Sequence, residues 1–129
     1  MFPNLQIPDH SLARNNECNI NLLPLTIEDI EHIKKDYLKK LEENLILLGD
    51  KLSPELIFYV SGVDILNTDK LGRLSVNRED CKTRDEMVFE FAKKCKSPIV
   101  TVMGGGYSEK IYDIIEAHCN TFKSMLKII

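Results

Sequence analysis

Leu56-Ile57-Phe58-Tyr59-Val60-Ser61-Gly62-Val63-Asp64 and Ile99-Val100-Thr101-Val102-Met103-Gly104-Gly105-Gly106-Tyr107 have the same plan: an apolar run, then glycine, then a polar side chain. Neither run alternates, and both are rich in β-branched residues. That pattern predicts strands covered on both faces, as in a parallel sheet. A helix is predicted between them, from about Asn77 to Lys96, with Cys81, Val88, Phe91 and Cys95 as its stripe and Met87, Phe89 and Ala92 widening it. Ser97-Pro98 closes that helix. Two strands joined through a helix should be parallel, with a right-handed crossover.

Upstream, the hydroxyl of Thr26 is suited to cap a helix, with Asp29 completing a capping-box pattern. Ile30, Ile33, Tyr37, Leu41, Leu45 and Leu48 form its apolar stripe, and Gly49 and Pro54 end it. His32 lies off that stripe beside Glu31 and reads as surface. Downstream, Ser108 is placed to cap a last helix with Ile111, Ile114, Ile115, His118, Phe122 and Met125 on one side. His118 sits inside that stripe and reads as a hydrogen-bonded core histidine. Residues 1–25 hold Pro3, Pro8, Pro24 and several asparagines, the mark of an irregular loop segment, with a short edge strand possible around Cys18, Ile20 and Leu22. The remainder, 26–129, reads as helix-strand-helix-strand-helix, an α/β arrangement.

The chain has 129 residues, 43% hydrophobic and 29% charged, a globular balance that fits one domain or part of a larger one. The net charge of −3 and the scattering of lysines among acids give no case for nucleic acid. No apolar run approaches the ~20 residues of a membrane span. The absence of a signal-peptide pattern predicts a cytoplasmic protein. Cys18, Cys81, Cys95 and Cys119 contain no C-x-x-C pair and read as buried reduced thiols.

Ligands of open α/β sheets bind beyond the carboxyl ends of the strands, where Asp64 and the Gly104-Gly105-Gly106-Tyr107 segment lie. From the residues alone, Asp64 is either a turn former or helix cap, or a metal or catalytic group. The glycine triplet indicates positive φ or a close approach to the backbone. It lacks both G-x-G-x-x-G spacing and a Walker lysine, so a nucleotide site is a weak reading.

Phe58-Tyr59-Val60-Ser61-Gly62-Val63-Asp64-Ile65-Leu66, followed by Thr68-Asp69-Lys70-Leu71-Gly72-Arg73-Leu74, closely resembles the histone deacetylase family, nearest to its class IV and bacterial members. Arg84-Asp85 and Val88-Phe89 continue the likeness, and Val102-Met103-Gly104-Gly105-Gly106-Tyr107-Ser108 matches the family's glycine-tyrosine motif. It runs from about Phe2 to Phe122 and is thin before Thr26. The resemblance implies the C-terminal part of an arginase/deacetylase-type three-layer fold, a parallel sheet flanked by helices. It implies zinc as the cofactor of the complete family domain, with Asp64 matching one metal ligand. It also implies that Tyr107 donates to the acetyl carbonyl and that Gly104, Gly105 and Gly106 lie close to bound acetyl-lysine.

The family's histidine pair and D-x-H ligands have no counterpart here. His10, His32 and His118 are not adjacent, and no D-x-H occurs. One carboxylate falls short of the three protein ligands of a catalytic zinc. The reading is therefore a C-terminal deacetylase portion, truncated at its start, inactive and without bound zinc on its own. Its expected partner is a complementary N-terminal deacetylase segment, with an acetylated substrate only once completed. Alternatives are one chain of a split two-chain enzyme, and a non-catalytic α/β binding module.

Overall fold

The computed structural model describes residues 27–129, with side chains from Asp36 onward. The Thr26 cap, the possible strand near Cys18, the irregular segment, and the side chains of Ile30, His32 and Ile33 lie outside the described residues. Five elements follow in the expected order: α1 (Ile27–Lys51), β1 (Ile57–Gly62), α2 (Arg78–Cys95), β2 (Ile99–Gly104) and α3 (Ile111–Ile128). The α1 backbone leaves helical geometry at Asp36 (φ −112°, ψ 15°). Tyr37, Leu41 and Leu45 are its half-buried stripe, while Leu48 is exposed.

Helix α2 starts where its chemistry dictates. The Asn77 side chain accepts from the Asp80 N–H at 2.8 Å, satisfying one of the free amides of the first turn. At the other end Lys96 takes the left-handed conformation (φ 56°) and its N–H returns to the helix carbonyls, just before Pro98 forbids continuation.

The strands pair in parallel, Ile57 opposite Ile99 through Gly62 opposite Gly104. One face of this two-stranded sheet meets α2: Tyr59 packs edge-on against the fully buried Phe89, with ring centroids 5.8 Å apart. The other face departs from the expectation of double coverage. Phe58, Val60, Val100 and Val102 share it in register and are 69%, 65%, 41% and 41% exposed. The described residues build one helical layer against the sheet, and the second flank of the expected three-layer fold is not formed among them.

Helix α3 corrects the sequence reading in register. Its buried face is Asp113, Ala117, Thr121, Ser124 and Ile128, whereas Ile111, Ile115 and Phe122 of the predicted stripe are exposed. Small side chains let α3 lie close to α2, and close packing there outweighs hydrophobicity at the wider positions. Ser108 does not cap α3. The cap position is Lys110, without a side-chain bond, and the Ser108 hydroxyl pairs with that of Thr68 at 2.8 Å. The thiol reading holds for Cys81, which is buried and free, while Cys95 is half-buried and Cys119 exposed. Below the carboxyl end of the sheet, Val63, Leu66, Val76, Cys81 and Ala117 form the core, with Tyr37, Ile65, Leu74 and Ile114 packed against it. No helix of the described residues is long and apolar enough to cross a membrane.

Candidate functional site

Adjacent parallel strands deliver Asp64 and Tyr107 to one end of the sheet. Asp64 follows β1 by two residues, Tyr107 follows β2 by three, and the Val63 N–H extends the pairing by donating to Gly104 O at 3.0 Å. The side chain of Asp64 lies against the glycine loop. A Cβ on Gly105, which has φ 63°, would stand 2.7 Å from Asp64 Cγ, and one on Gly72 would stand 1.5 Å from the Asp64 carbonyl oxygen. Neither position tolerates a side chain. These glycines therefore make room for Asp64 itself. Gly106, at φ 107°, passes beside Val63 and Ile114, and Gly104 ends β2.

Asp69 ties the two loops together, a role missed in the sequence. One carboxylate oxygen accepts from the Leu71 and Gly72 N–H groups at 2.8 Å each, and the other accepts from the Tyr107 N–H at 2.7 Å. Desolvation pushes the Asp69 carboxyl up, but the three N–H donors of Gly72, Tyr107 and Leu71 outweigh it and hold it below the usual carboxylate value. An Asp two and three residues before the N–H groups it accepts is an ordinary turn signal. The third bond, across to Tyr107, has no local signature. Tyr107 is thus fixed through its backbone while its side chain remains 54% exposed.

A depressed carboxyl stabilises the fold above its unfolded-state value, about 3.9, and that stabilisation disappears as pH falls through the folded value. Asp69→Asn is accordingly expected to lower the urea midpoint at pH 7, by an amount that solvent screening keeps small. The gap from the parent chain, measured as urea midpoints, should narrow as pH drops below about 4. A gap that stays constant to pH 3 would contradict this role.

Beneath the site lies a buried charged network. Arg84 and Asp85 are 5% and 0% exposed. The Arg84 Nε and Nη2 donate to Asp85 Oδ1 at 2.9 and 2.7 Å, and the Tyr59 hydroxyl donates to the same oxygen. The Thr121 hydroxyl donates to Asp85 Oδ2 at 2.6 Å, and Arg84 Nη1 donates to Gly62 O at 2.5 Å. Burial drives the Tyr59 phenol above its ordinary range, so it serves as a neutral donor. Burial opposes the charge on Arg84, but the Asp85 carboxylate that holds two of its nitrogens outweighs that penalty, so the guanidinium stays charged. His118 is half-buried, and its Nδ1 is buried without a hydrogen-bond partner, unlike the bonded core histidine expected. Its basicity is lowered by burial and by the Arg84 charge.

Among the described residues, no group of three or more His, Cys, Asp or Glu side chains is gathered as a metal site. Asp64 is one carboxylate, so the described residues by themselves do not fit a catalytic zinc. A groove of about 960 Å³ runs between α1, α2 and the end of α3, lined by residues including Leu45, Ile46, Met87, Phe91 and Ile128. It borders the segments leading into the strands, and neither Asp64 nor Tyr107 contributes to it.

The histone deacetylase domain family matches residues 1–122. The chain is 39% identical over 80 residues to Histone deacetylase 2 of Arabidopsis thaliana, a match covering 62% of this chain and 21% of that protein. It is 33% identical over 82 residues to an uncharacterized protein of Picosynechococcus sp., covering 64% of this chain and 27% of that protein. The matches thus span about a quarter of those relatives' length. With its α/β fold and a domain match over nearly all its residues, this chain belongs to the histone deacetylase family.

Proposed function

We propose that this chain supplies one side of the active site of a zinc-dependent deacetylase that hydrolyses acetyl-lysine or a related acetyl amide. Asp64 contributes one carboxylate to a metal site whose remaining ligands lie outside these 129 residues. Tyr107 points its phenol at the acetyl carbonyl and donates to the oxygen as negative charge develops there. The loop Gly104-Gly105-Gly106 carries Tyr107 and borders the acetyl-lysine. A histidine pair for proton transfer comes from the same complementary segment as the missing ligands, in one polypeptide or two. The assembled protein acts in the cytoplasm, on an acetylated substrate, without nucleic acid or membrane. The observation that supports this reading is the coupling of the two loops, in which Gly105 receives the Asp64 side chain and Asp69 holds the Tyr107 backbone.

Alone, the chain is expected to retain no stoichiometric zinc and to hydrolyse no acetyl-lysine peptide, because one carboxylate cannot hold the ion. Metal analysis and a peptide assay check this. Activity of the chain by itself, lost on chelation and restored by zinc, would overturn it.

A further inference from the structure

The geometry points to Arg84 as a positioning residue for Asp64, a role that rests on the deacetylase reading above. In β1 the N–H groups of Ile57 and Val63 bond across to Pro98 and Gly104, so the odd-numbered residues face β2. Even-numbered residues direct their N–H and C=O to the opposite, open edge of β1. Gly62 is the last of these. Its carbonyl has no strand to pair with among the described residues and is taken by Arg84 Nη1 at 2.5 Å. Two residues later the chain reaches Asp64.

The guanidinium is itself fixed. Two of its nitrogens are bound by Asp85 Oδ1, which also accepts from Tyr59, while Thr121 of α3 holds Asp85 Oδ2. It lies 5.8 Å from the centre of the Tyr59 ring. Three elements, β1, α2 and α3, thus converge on one fork, and the fork's remaining arm determines where the Gly62-Val63-Asp64 segment leaves the sheet. From the other side the Asp64 side chain meets Gly105. The carboxylate is caught between a charged donor acting through the backbone and a loop that only glycine can form. Lysine cannot reproduce this arrangement, because an ammonium lacks the planar fork that grips Asp85 and Gly62 together.

The test is Arg84→Lys, with Lys82→Ala on the same helix as control and Tyr59→Phe as a milder second variant. In the 129-residue chain, amide hydrogen exchange is followed residue by residue. Arg84→Lys should speed exchange at Val63 and Leu66, whose N–H groups bond Gly104 O and Val63 O on either side of Asp64, about tenfold or more relative to α2 and α3. Tyr59→Phe should act in the same direction and more weakly, and it decides the matter if the lysine variant does not fold. In the assembled deacetylase, Arg84→Lys should lower kcat by roughly 10–100-fold with KM unchanged, the range for a group that orients a ligand through another. Exchange that rises uniformly across the chain, or a loss of kcat matched by lost folded protein, would overturn the assignment. If the assembled parent protein shows no turnover, the deacetylase reading fails, and the exchange pattern still decides whether Arg84 fixes Asp64.

Discussion

Asp64→Ala in the assembled enzyme is expected to abolish metal retention and activity together, whereas Tyr107→Phe keeps the metal and lowers kcat by roughly 10²–10³-fold. The two residues lie at the same end of one sheet but are asked to do different chemistry. A carboxylate ligand is irreplaceable in a site of three protein ligands, since alanine leaves two and water in its stead. A phenol that donates to a developing oxyanion is worth the energy of one hydrogen bond in the transition state, so its loss appears in kcat rather than in KM or metal content. Tyr112 is the built-in control. It is 64% exposed on α3, with its ring facing the Arg78 guanidinium, and Tyr112→Phe should leave kcat unchanged. Equal losses from Tyr107→Phe and Tyr112→Phe, or metal retained by Asp64→Ala, would count against the assignment.

Asp85→Ala is expected to cost about 3–5 kcal/mol of folding stability, the range for removing one member of a buried ion pair. The argument is one of stranded partners. Asp85 is fully buried and accepts from Arg84, Tyr59 and Thr121, and alanine leaves a buried guanidinium and two hydroxyl donors without their acceptor. Set against a total of about 5–15 kcal/mol for a domain, this loss unfolds a large fraction of the molecules. Thr121→Val removes one donor and should cost about 1 kcal/mol. Urea denaturation of the three proteins at pH 7 checks the order. A midpoint for Asp85→Ala within experimental scatter of the parent would show that the network carries no stability.

Much of this architecture was legible because a few residues speak locally. The apolar stripe beginning near Asn77, the Ser97-Pro98 stop and the two apolar runs place α2, β1 and β2 within two residues of where they stand. Asp64 and the glycine-tyrosine segment were found from their position after strands and from the family likeness, and the structure brings both to one sheet end. Long-range pairing was not legible. In sequence Arg84-Asp85 carries only the family likeness, with no sign of its partners, and only the folded chain shows Tyr59 and Thr121 meeting Asp85 from 26 and 36 residues away. The same holds for Asp69, whose bond to Tyr107 spans 38 residues. Helix α3 misled the reading because hydropathy marks apolar side chains. Its contact with α2 instead selects small ones, Ala117, Thr121 and Ser124. The exposed pattern of Phe58 and Val60 shows the remaining ambiguity. An apolar run announces that both strand faces suit a covered environment, not that both are covered by the same stretch of chain.

The central claim, that Asp64 and Tyr107 belong to one catalytic site, is tested most directly by a crystal structure of the assembled protein with zinc and an acetyl-lysine peptide. The expected result is an Asp64 carboxylate oxygen at about 2.0–2.2 Å from the metal. The Tyr107 hydroxyl should lie about 2.7–3.1 Å from the acetyl oxygen. A zinc ion coordinated without Asp64, or a peptide bound with its acetyl group remote from Tyr107, would contradict the account.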